Sequence, residues 1–588
     1  MSTVSITDEE VAVAPRRPRS TIVLGEESVL APKAGIEIGL LSGDSLTSTA
    51  IHHVAEKGDE AALRLMSDVA ESSLIRARMF SKSTIAWTQA GFACLTARRL
   101  PEAQDAFRHA IELDPAARNS RLGLARTLFE LGNTASAEQH LRSLLHEHPG
   151  DTEILVSLGV VLAGDNRLEE ALALLDSAKI AERDEASFFA MRGGLRVALG
   201  HYQAAVGDLR KAVRRRPDWV HVRNSLGVAE VKSGQTDKAE RQFLEALRIA
   251  PLYEESFVNL LRLKFSQRQF SAILDSASEQ YRRGRAPANV ARIVAASAFE
   301  LEKWRVAQWW LEGALAQTSE INIRARLLND LGVVHSRMDD QAVAGDYFER
   351  SLQEYATELA FVNRGKTYLL SNNPDLAIKW LTSGAYAFGL GQVERRKLLT
   401  NAYGRVGDID NALREGRSLV REKLADRGVF ISLTNVLSDL ACDYSASASI
   451  GEQGLREFPD DPGLINNVAY SLLMNGEVDR AAEYLEHAKA MHLESMFLSA
   501  TQGLLALKRG QLSAGRELYE RALAMAGTDA MRERVRTKRD LEEARAILAQ
   551  GGSEKEAIVL FSRASSGGAE ASPYAEQAQQ EMRRLRSG

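Results

Sequence analysis

Small and large apolar residues recur along this chain at spacings of four and then three residues. Such spacing places three side chains on one face of an α-helix. The set returns at intervals of about 34 residues in five successive segments, as Ala103, Phe107 and Ala110, then Ala137, Leu141 and Leu144, Ala171, Leu175 and Ala178, Ala205, Leu209 and Ala212, and Ala239, Phe243 and Ala246. The pattern predicts a series of similar amphipathic helices.

Prolines and glycines recur with the same period of about 34 residues. Pro115, Pro149, Pro217 and Pro251 are separated by one, two and one of these periods, and each follows an amphipathic segment. Proline ends a helix there, because it has no N–H to donate and disfavours helix in the preceding residue. A Leu-Gly pair marks the first helix of several units, at positions 158–159, 226–227 and 331–332. We expect neighbouring backbones to approach closely at these glycines.

The apolar, proline and glycine positions recur at the same places in each unit, and this pattern resembles that of the tetratricopeptide repeat family. That resemblance implies an all-α fold, a right-handed superhelical α-solenoid of helix-turn-helix units. About thirteen units are expected between residue 84 and about residue 525, although two stretches, 257–287 and 424–459, fit the pattern poorly. Repeats of this kind place their first helices along a concave surface.

The repeat pattern divides the chain into six segments. We predict a disordered N-terminal segment at 1–45, a helical cap at 46–83, five well-formed units at 84–252, degenerate units at 253–460, further units at 461–526, and a charged helical cap and tail at 527–588.

Composition narrows the class of protein. The formal net charge is −5, so no positive field favours nucleic acid. Only two cysteines occur, which suits a reducing compartment, and neither an N-terminal signal nor a long apolar run is evident. We therefore expect a cytoplasmic protein without a membrane span, although peripheral association with a membrane complex stays possible. The frequent use of Ala, Arg and Leu suggests a bacterial source.

No motif predicts catalysis, a cofactor or a metal. Three histidines, His140, His146 and His148, could meet a metal, but we favour solvated side chains next to a turn. Two basic runs, 210–216 and 282–285, could contact phosphate. For the first run we favour a role at the negative end of a helix dipole. The chain is expected not to be an enzyme, since only about sixty residues follow the last repeat, too few for a further catalytic domain.

Asparagines recur at adjacent phases of the first helices, on the expected concave surface. Each amide offers a donor and an acceptor, which match the N–H and C=O groups of an extended peptide. The row could bind a peptide backbone, as similar rows do in family members, or it could be structural. It comprises Asn224, Asn259, Asn329, Asn363, Asn401, Asn466 and Asn467.

Two further features could contact a partner. Lys397 and Asn401 resemble half of the clamp that family members use for carboxylates, but Ser432 and Leu433 replace the expected polar partners, so a complete clamp is not expected. Trp309 falls where the family carries a charged outward residue, and it marks either a second contact surface or local packing.

The leading hypothesis is a non-enzymatic scaffold or adaptor that binds peptides or helices of partner proteins in its concave groove. The alternative is a regulatory subunit that switches a partner enzyme or transcription factor, with the N-terminal segment occupying the groove until it is displaced.

Overall fold

The computed structural model describes residues 60–178, 186–281, 286–383, 393–568 and 572–587. Throughout these ranges the chain forms helices and turns, without a strand. Residues 1–45, predicted to be disordered, and the first part of the predicted cap lie outside the described residues. The all-α solenoid class predicted from the repeat pattern is confirmed.

The described residues fall into two compact units, 60–314 and 315–587, here called the N-terminal and C-terminal units. The N-terminal unit contains helices α1 Glu60–Met79, α2 Thr84–Thr96, α3 Leu100–Leu113, α4 Arg118–Glu130, α5 Thr134–Glu147, α6 Thr152–Gly164, α7 Leu168–Ser177, α8 Ala186–Ala198, α9 Tyr202–Arg215, α10 Val220–Lys232, α11 Thr236–Ile249, α12 Glu254–Ser266, α13 Phe270–Gln280, α14 Ala288–Glu300 and α15 Trp304–Leu315.

The C-terminal unit continues in the same manner, with one π-helical segment. Its helices are α16 Ile321–Arg337, α17 Gln341–Glu354, α18 Glu358–Leu370, α19 Pro374–Thr382, α20 Val393–Val406, α21 Ile409–Arg421, α22 Arg427–Asn435, the π-helix Val436–Leu440, α23 Tyr444–Glu457, α24 Pro462–Met474, α25 Val478–Ala490, α26 Met496–Lys508, α27 Leu512–Ala524, α28 Asp529–Ala549, α29 Glu554–Ser565 and α30 Ser572–Ser587.

The turn inside each hairpin repeats one backbone conformation. Gly132 has φ 81°, Gly234 has φ 75°, and each directly precedes the N-cap residue of the second helix. Only the left-handed region allows this reversal, and glycine enters it without steric cost. Asn166 and Asp339 adopt φ values of 60° and 65° at the same place, so the turn forms without glycine as well.

Large side chains pack directly above the phased glycines. A Cβ atom on Gly227 would lie 2.5 Å from the ring of Phe243, and one on Gly332 would lie 2.6 Å from Phe348. The close neighbour is therefore a ring from the second helix of the same hairpin, and not the neighbouring backbone that the sequence led us to expect. Gly159 is less crowded, since its nearest neighbour would be Leu175 at 3.6 Å.

Substituting Gly227 by alanine should destabilise the N-terminal unit by about 1–3 kcal/mol, because the ring of Phe243 must move. The matched control is Gly207→Ala within α9, where a Cβ would meet nothing within 4 Å. That substitution should stabilise by about 0.5–1 kcal/mol through helix propensity. Thermal unfolding of both variants tests this, and shifts of equal sign would contradict it.

An inserted residue explains one of the poorly fitting stretches. The path from N-cap Asp426 to the left-handed Cys442 is one residue longer than the equivalent path from N-cap Trp219 to Gly234. The π-helical segment within it absorbs the extra residue, as single π-turns do. In the other poorly fitting stretch the spacing is regular, since α10, α12 and α14 begin at equal intervals along the chain.

Candidate functional site

In the N-terminal unit, two members of the asparagine row bind each other across neighbouring hairpins. The Nδ2 group of Asn259 on α12 donates to Oδ1 of Asn224 on α10 at 2.9 Å. The hydroxyl of Ser256 also lies 3.2 Å from that oxygen. Asn259 is only 7% exposed, whereas Asn224 is half-buried. The predicted row therefore exists here as an amide-to-amide bond between first helices.

The C-terminal unit repeats this arrangement. Nδ2 of Asn363 on α18 donates to Oδ1 of Asn329 on α16 at 3.0 Å, and Asn329 is 3% exposed. On α20, Nδ2 of Asn401 donates to the hydroxyl of Ser432 on α22 at 3.1 Å. Each bond joins residues that are 31 to 34 positions apart, so it crosses from one hairpin to the next.

The last two asparagines belong to a denser network. Nδ2 of Asn467 lies 2.8 Å from both Oγ1 of Thr434 and Oδ1 of Asn435. Oδ1 of Asn466 accepts from Oγ1 of Thr501 at 2.8 Å. The structure thus brings every predicted asparagine into contact with a neighbouring hairpin or with a member of the row.

Side chains from later helices lie one turn along α24 from Asn467. Tyr470 follows one turn along α24, and the Nζ atom of Lys538 on α28 lies 3.6 Å from the centre of its ring. Arg534, one turn before Lys538, donates to Oδ2 of Asp439 at 3.0 Å, and the ring of Tyr574 on α30 lies 5.4 Å from the Lys538 Nζ atom. Burial raises the pKa of Tyr470 well above its ordinary value. A cluster that the sequence did not indicate therefore adjoins this end of the row.

Three half-buried asparagines of the row each keep one polar atom without a hydrogen bond to protein. Within the described residues, Nδ2 of Asn224 and the Oδ1 atoms of Asn363 and Asn401 make no hydrogen bond to protein. All three side chains are half-buried, so they reach the surface. The free groups comprise one amide donor in the N-terminal unit and two carbonyl acceptors in the C-terminal unit, and both kinds of group can bind a peptide backbone.

Lys397 is occupied by two carboxylates. Its Nζ atom lies 2.7 Å from Glu394 and 3.2 Å from Asp426. Burial opposes its charge, but the bonds to these two carboxylates raise the pKa of Lys397. With Asn401 bonded to Ser432, both residues of the predicted half-clamp are engaged within the fold.

A second lysine near the row was not predicted as a site residue. Lys366 lies on α18 one turn after Asn363, and within the described residues it forms no ion pair. Burial and the nearby charge of Arg337 lower the pKa of Lys366. A lysine carries no pattern signal of its own, so only the packing of α16 against α18 reveals it.

Trp309 lies on the outer side of α15. Its side chain is 49% exposed, while the adjacent Trp310 is 2% exposed and meets it edge to face at 5.4 Å. Trp309 stands five residues after the helix begins, where Asp105, Arg241 and Asp346 stand in other second helices. Its role as a contact surface stays a prediction.

Arginines of the first basic run pair with nearby carboxylates. Arg210 pairs with the buried Glu230 at 2.7 Å, and Arg216 pairs with Asp218 at 3.0 Å, which lowers the pKa of that carboxyl. The second basic run, 282–285, lies outside the described residues.

His140, His146 and His148 are exposed in and after α5. In the portion of the chain that the structure describes, no group of three or more His, Cys, Asp or Glu residues could hold a metal. None of the described helices has both the length and the apolar character that crossing a bilayer requires.

The fold is an α-solenoid built from helical hairpins of about 34 residues. Tetratricopeptide repeat models match residues 89–152, 128–193 and 191–254. The chain therefore contains tetratricopeptide repeats over residues 89–254, and the predicted repeat family is confirmed there.

Several proteins of known structure are similar to this chain. A tetratricopeptide repeat protein of Thermus thermophilus is 22% identical, with a TM-score of 0.28, over 31% of this chain and 100% of that one. The APC/C hetero-tetramer Cut9-Hcn1 is 14% identical, with a TM-score of 0.36, over 86% of this chain and 98% of that one. YrrB, described as having an unusual peptide-binding site, is 17% identical with a TM-score of 0.25, over 32% of this chain and 96% of that one.

One curated relative is the human protein O-mannosyl-transferase TMTC1. It is 28% identical over 173 residues, which is 28% of this chain. The chain spans about a fifth of the length of that relative, since the match covers 20% of it.

Proposed function

We propose that this protein is a non-enzymatic scaffold that holds extended segments of partner proteins along the asparagine row. Tetratricopeptide repeats are protein-interaction modules in general, and the repeat models match this chain. The scarcity of cysteine supports a cytoplasmic location.

The observation that carries the proposal is the set of free amide groups on Asn224, Asn363 and Asn401. They lie on first helices, and the other polar atom of each side chain is fixed by a bond to a neighbouring hairpin. Fixed side chains lose little rotamer freedom when a ligand binds, which favours affinity. In the C-terminal unit, an extended peptide would donate to the free oxygens of Asn363 and Asn401. In the N-terminal unit, a peptide carbonyl would accept from Nδ2 of Asn224.

Charge in the C-terminal unit favours a ligand with acidic side chains. Lys366 lies one turn from Asn363 and forms no ion pair among the described residues, while Glu394 and Asp426 act on its charge from a longer distance. Because the free oxygens of Asn363 and Asn401 lie on α18 and α20, we expect the ligand to lie between α16 and α22 in this unit.

Binding of random peptides displayed on phage to the full chain tests the proposal. The double variant Asn363→Ala and Asn401→Ala should bind the selected peptides about tenfold more weakly, since two hydrogen bonds of about 0.5–1.5 kcal/mol each are lost. Unaltered binding by a folded double variant would refute the role of these asparagines.

The matched control is Asn475→Ala. Asn475 is exposed in the turn after α24, and its side chain donates to Glu477 at 2.6 Å. It should leave peptide binding unchanged. Circular dichroism of all variants separates lost contacts from lost structure, because Asn363→Ala also leaves the buried oxygen of Asn329 without its donor.

A further inference from the structure

The first described helix and the residues that follow it carry a dense group of exposed apolar side chains. Of the 22 large hydrophobic residues exposed in the described chain, six lie between positions 65 and 85. They are Leu65, Val69, Ile75, Met79, Phe80 and Ile85, with exposed fractions of 64%, 53%, 50%, 76%, 60% and 72%. Clusters of this kind mark contact surfaces.

Helix α1 is apolar on a second face as well, and that face is covered. Ala70, Leu74 and Ala77 are at most 5% exposed and belong to the core that α2 helps to form. The exposed group therefore lies on the outer side of α1. A helix of a globular protein that packs on one face ordinarily carries polar residues on the other.

The same outer positions are polar in helices such as α3 and α5, although α15 has the exposed Trp309 there. Leu65 stands five residues after α1 begins, a place held by Asp105 in α3 and Gln139 in α5. Val69 stands four residues further on, where α5 has Ser143. The apolar outer face is thus a departure of α1 from the repeat, and something of complementary character should cover it.

The rim of this face is basic at the C-terminal end of α1, while the exposed Asp68 lies among its apolar residues near the other end. Arg76 and Arg78 lie in the last turn of α1, and Lys82 follows it. All three are exposed and form no ion pair within the described ranges. A covering segment would therefore combine apolar residues with carboxylates.

Residues 26–41 of the same chain have that composition. They carry Ile36, Ile38 and Leu40 at alternate positions, with Glu37 between them and Glu26 and Glu27 before them. Only one basic residue, Lys33, is present in this segment. Alternating apolar residues in an extended chain point to one side, so they could lie along a helix face together.

The connection is long enough. Eighteen residues, 42–59, separate the segment from Glu60, and when extended they reach about 60 Å. Helix α1 has 20 residues and is therefore about 30 Å long. The segment can reach any part of α1, and the tether gives it an effective concentration on the order of millimolar.

We propose that residues 26–41 bind the outer face of α1, with Ile36, Ile38 and Leu40 against Leu65 and Val69 and the glutamates against the basic rim. This places the N-terminal segment outside the asparagine row. It goes beyond the proposed scaffold function, which does not depend on it.

Disulfide formation in the full chain tests the contact. The background is Cys442→Ser, which removes the exposed thiol, while burial raises the pKa of Cys94 to about 11 and keeps that thiol unreactive. In this background Ile38→Cys combined with Val69→Cys should form an intramolecular disulfide. The control combines Ile38→Cys with Gln89→Cys, because Gln89 is exposed and lies five repeat periods before Asn259 of the row.

The first pair should react on the order of tenfold faster than the control pair. Adding Ile36→Asp and Leu40→Asp should reduce its rate to that of the control, which shows that the apolar contact and not the tether alone brings the thiols together. Equal rates for the two pairs, faster reaction with Gln89→Cys, or disulfides between two chains would each overturn the proposal. The last result would assign the face to a second copy of the protein.

Discussion

Phe243→Ala is expected to destabilise the N-terminal unit by about 3–5 kcal/mol, the usual loss for a buried aromatic ring. Phe243 is 1% exposed, and its ring fills the space directly above Gly227. With the ring removed, Gly227 has no side chain of its own to fill the space, so a cavity is expected. Amide hydrogen exchange along α10 and α11 should accelerate by more than about a hundredfold, since about 1.4 kcal/mol corresponds to a tenfold change in an equilibrium constant.

The adjacent residue supplies the control. Leu244 is 48% exposed on the same helix, so Leu244→Ala should change the free energy of unfolding by less than about 0.5 kcal/mol. Similar exchange rates in the two variants would show that the ring-over-glycine contact does not hold the hairpin together.

Asp208→Ala is expected to cost a comparable amount, about 3–5 kcal/mol, because it removes the buried carboxylate that two guanidinium groups share. Asp208 is 3% exposed. Its oxygens accept from Nε and Nη2 of Arg192 at 2.8 Å each and from Nη1 of Arg196 at 2.6 Å. Chemical denaturation combined with hydrogen exchange of α8 and α9 measures the loss.

Asp218→Ala provides the comparison for this carboxylate. Its side chain is 49% exposed and pairs with Arg216 at 3.0 Å, so its removal should cost no more than about 1 kcal/mol. If the two aspartates proved equally costly, burial would not be what makes the Asp208 contact important.

The hairpin architecture was predictable because its determinants are local and periodic. Spacing alone predicts the buried face of α11, which carries Ala239, Phe243 and Ala246, and each of these residues is buried. The Leu-Gly pairs were located correctly, but their physical role was not, since a ring and not a backbone lies next to Gly227. A sequence pattern shows which residue makes a close contact, but it does not show which residue or atom it contacts.

The candidate site was predictable only in part. The phase of the asparagines placed them on neighbouring first helices, yet their bonds to one another depend on side-chain geometry across hairpins. Lys538 and Tyr470 lie far apart in sequence, and nothing in either segment indicates the other. Cys442 takes a left-handed conformation that glycine usually fills, so residue type alone did not reveal the inserted residue before it.

The hydrogen bonds between asparagine side chains also affect how each unit responds to a pulling force. Asn259 and Asn224, like Asn363 and Asn329, tie consecutive first helices together at 2.9 and 3.0 Å, so stretching this face requires breaking hydrogen bonds of partly buried groups. Under a pulling force, these two pairs of first helices should therefore stay together until their amide bonds break.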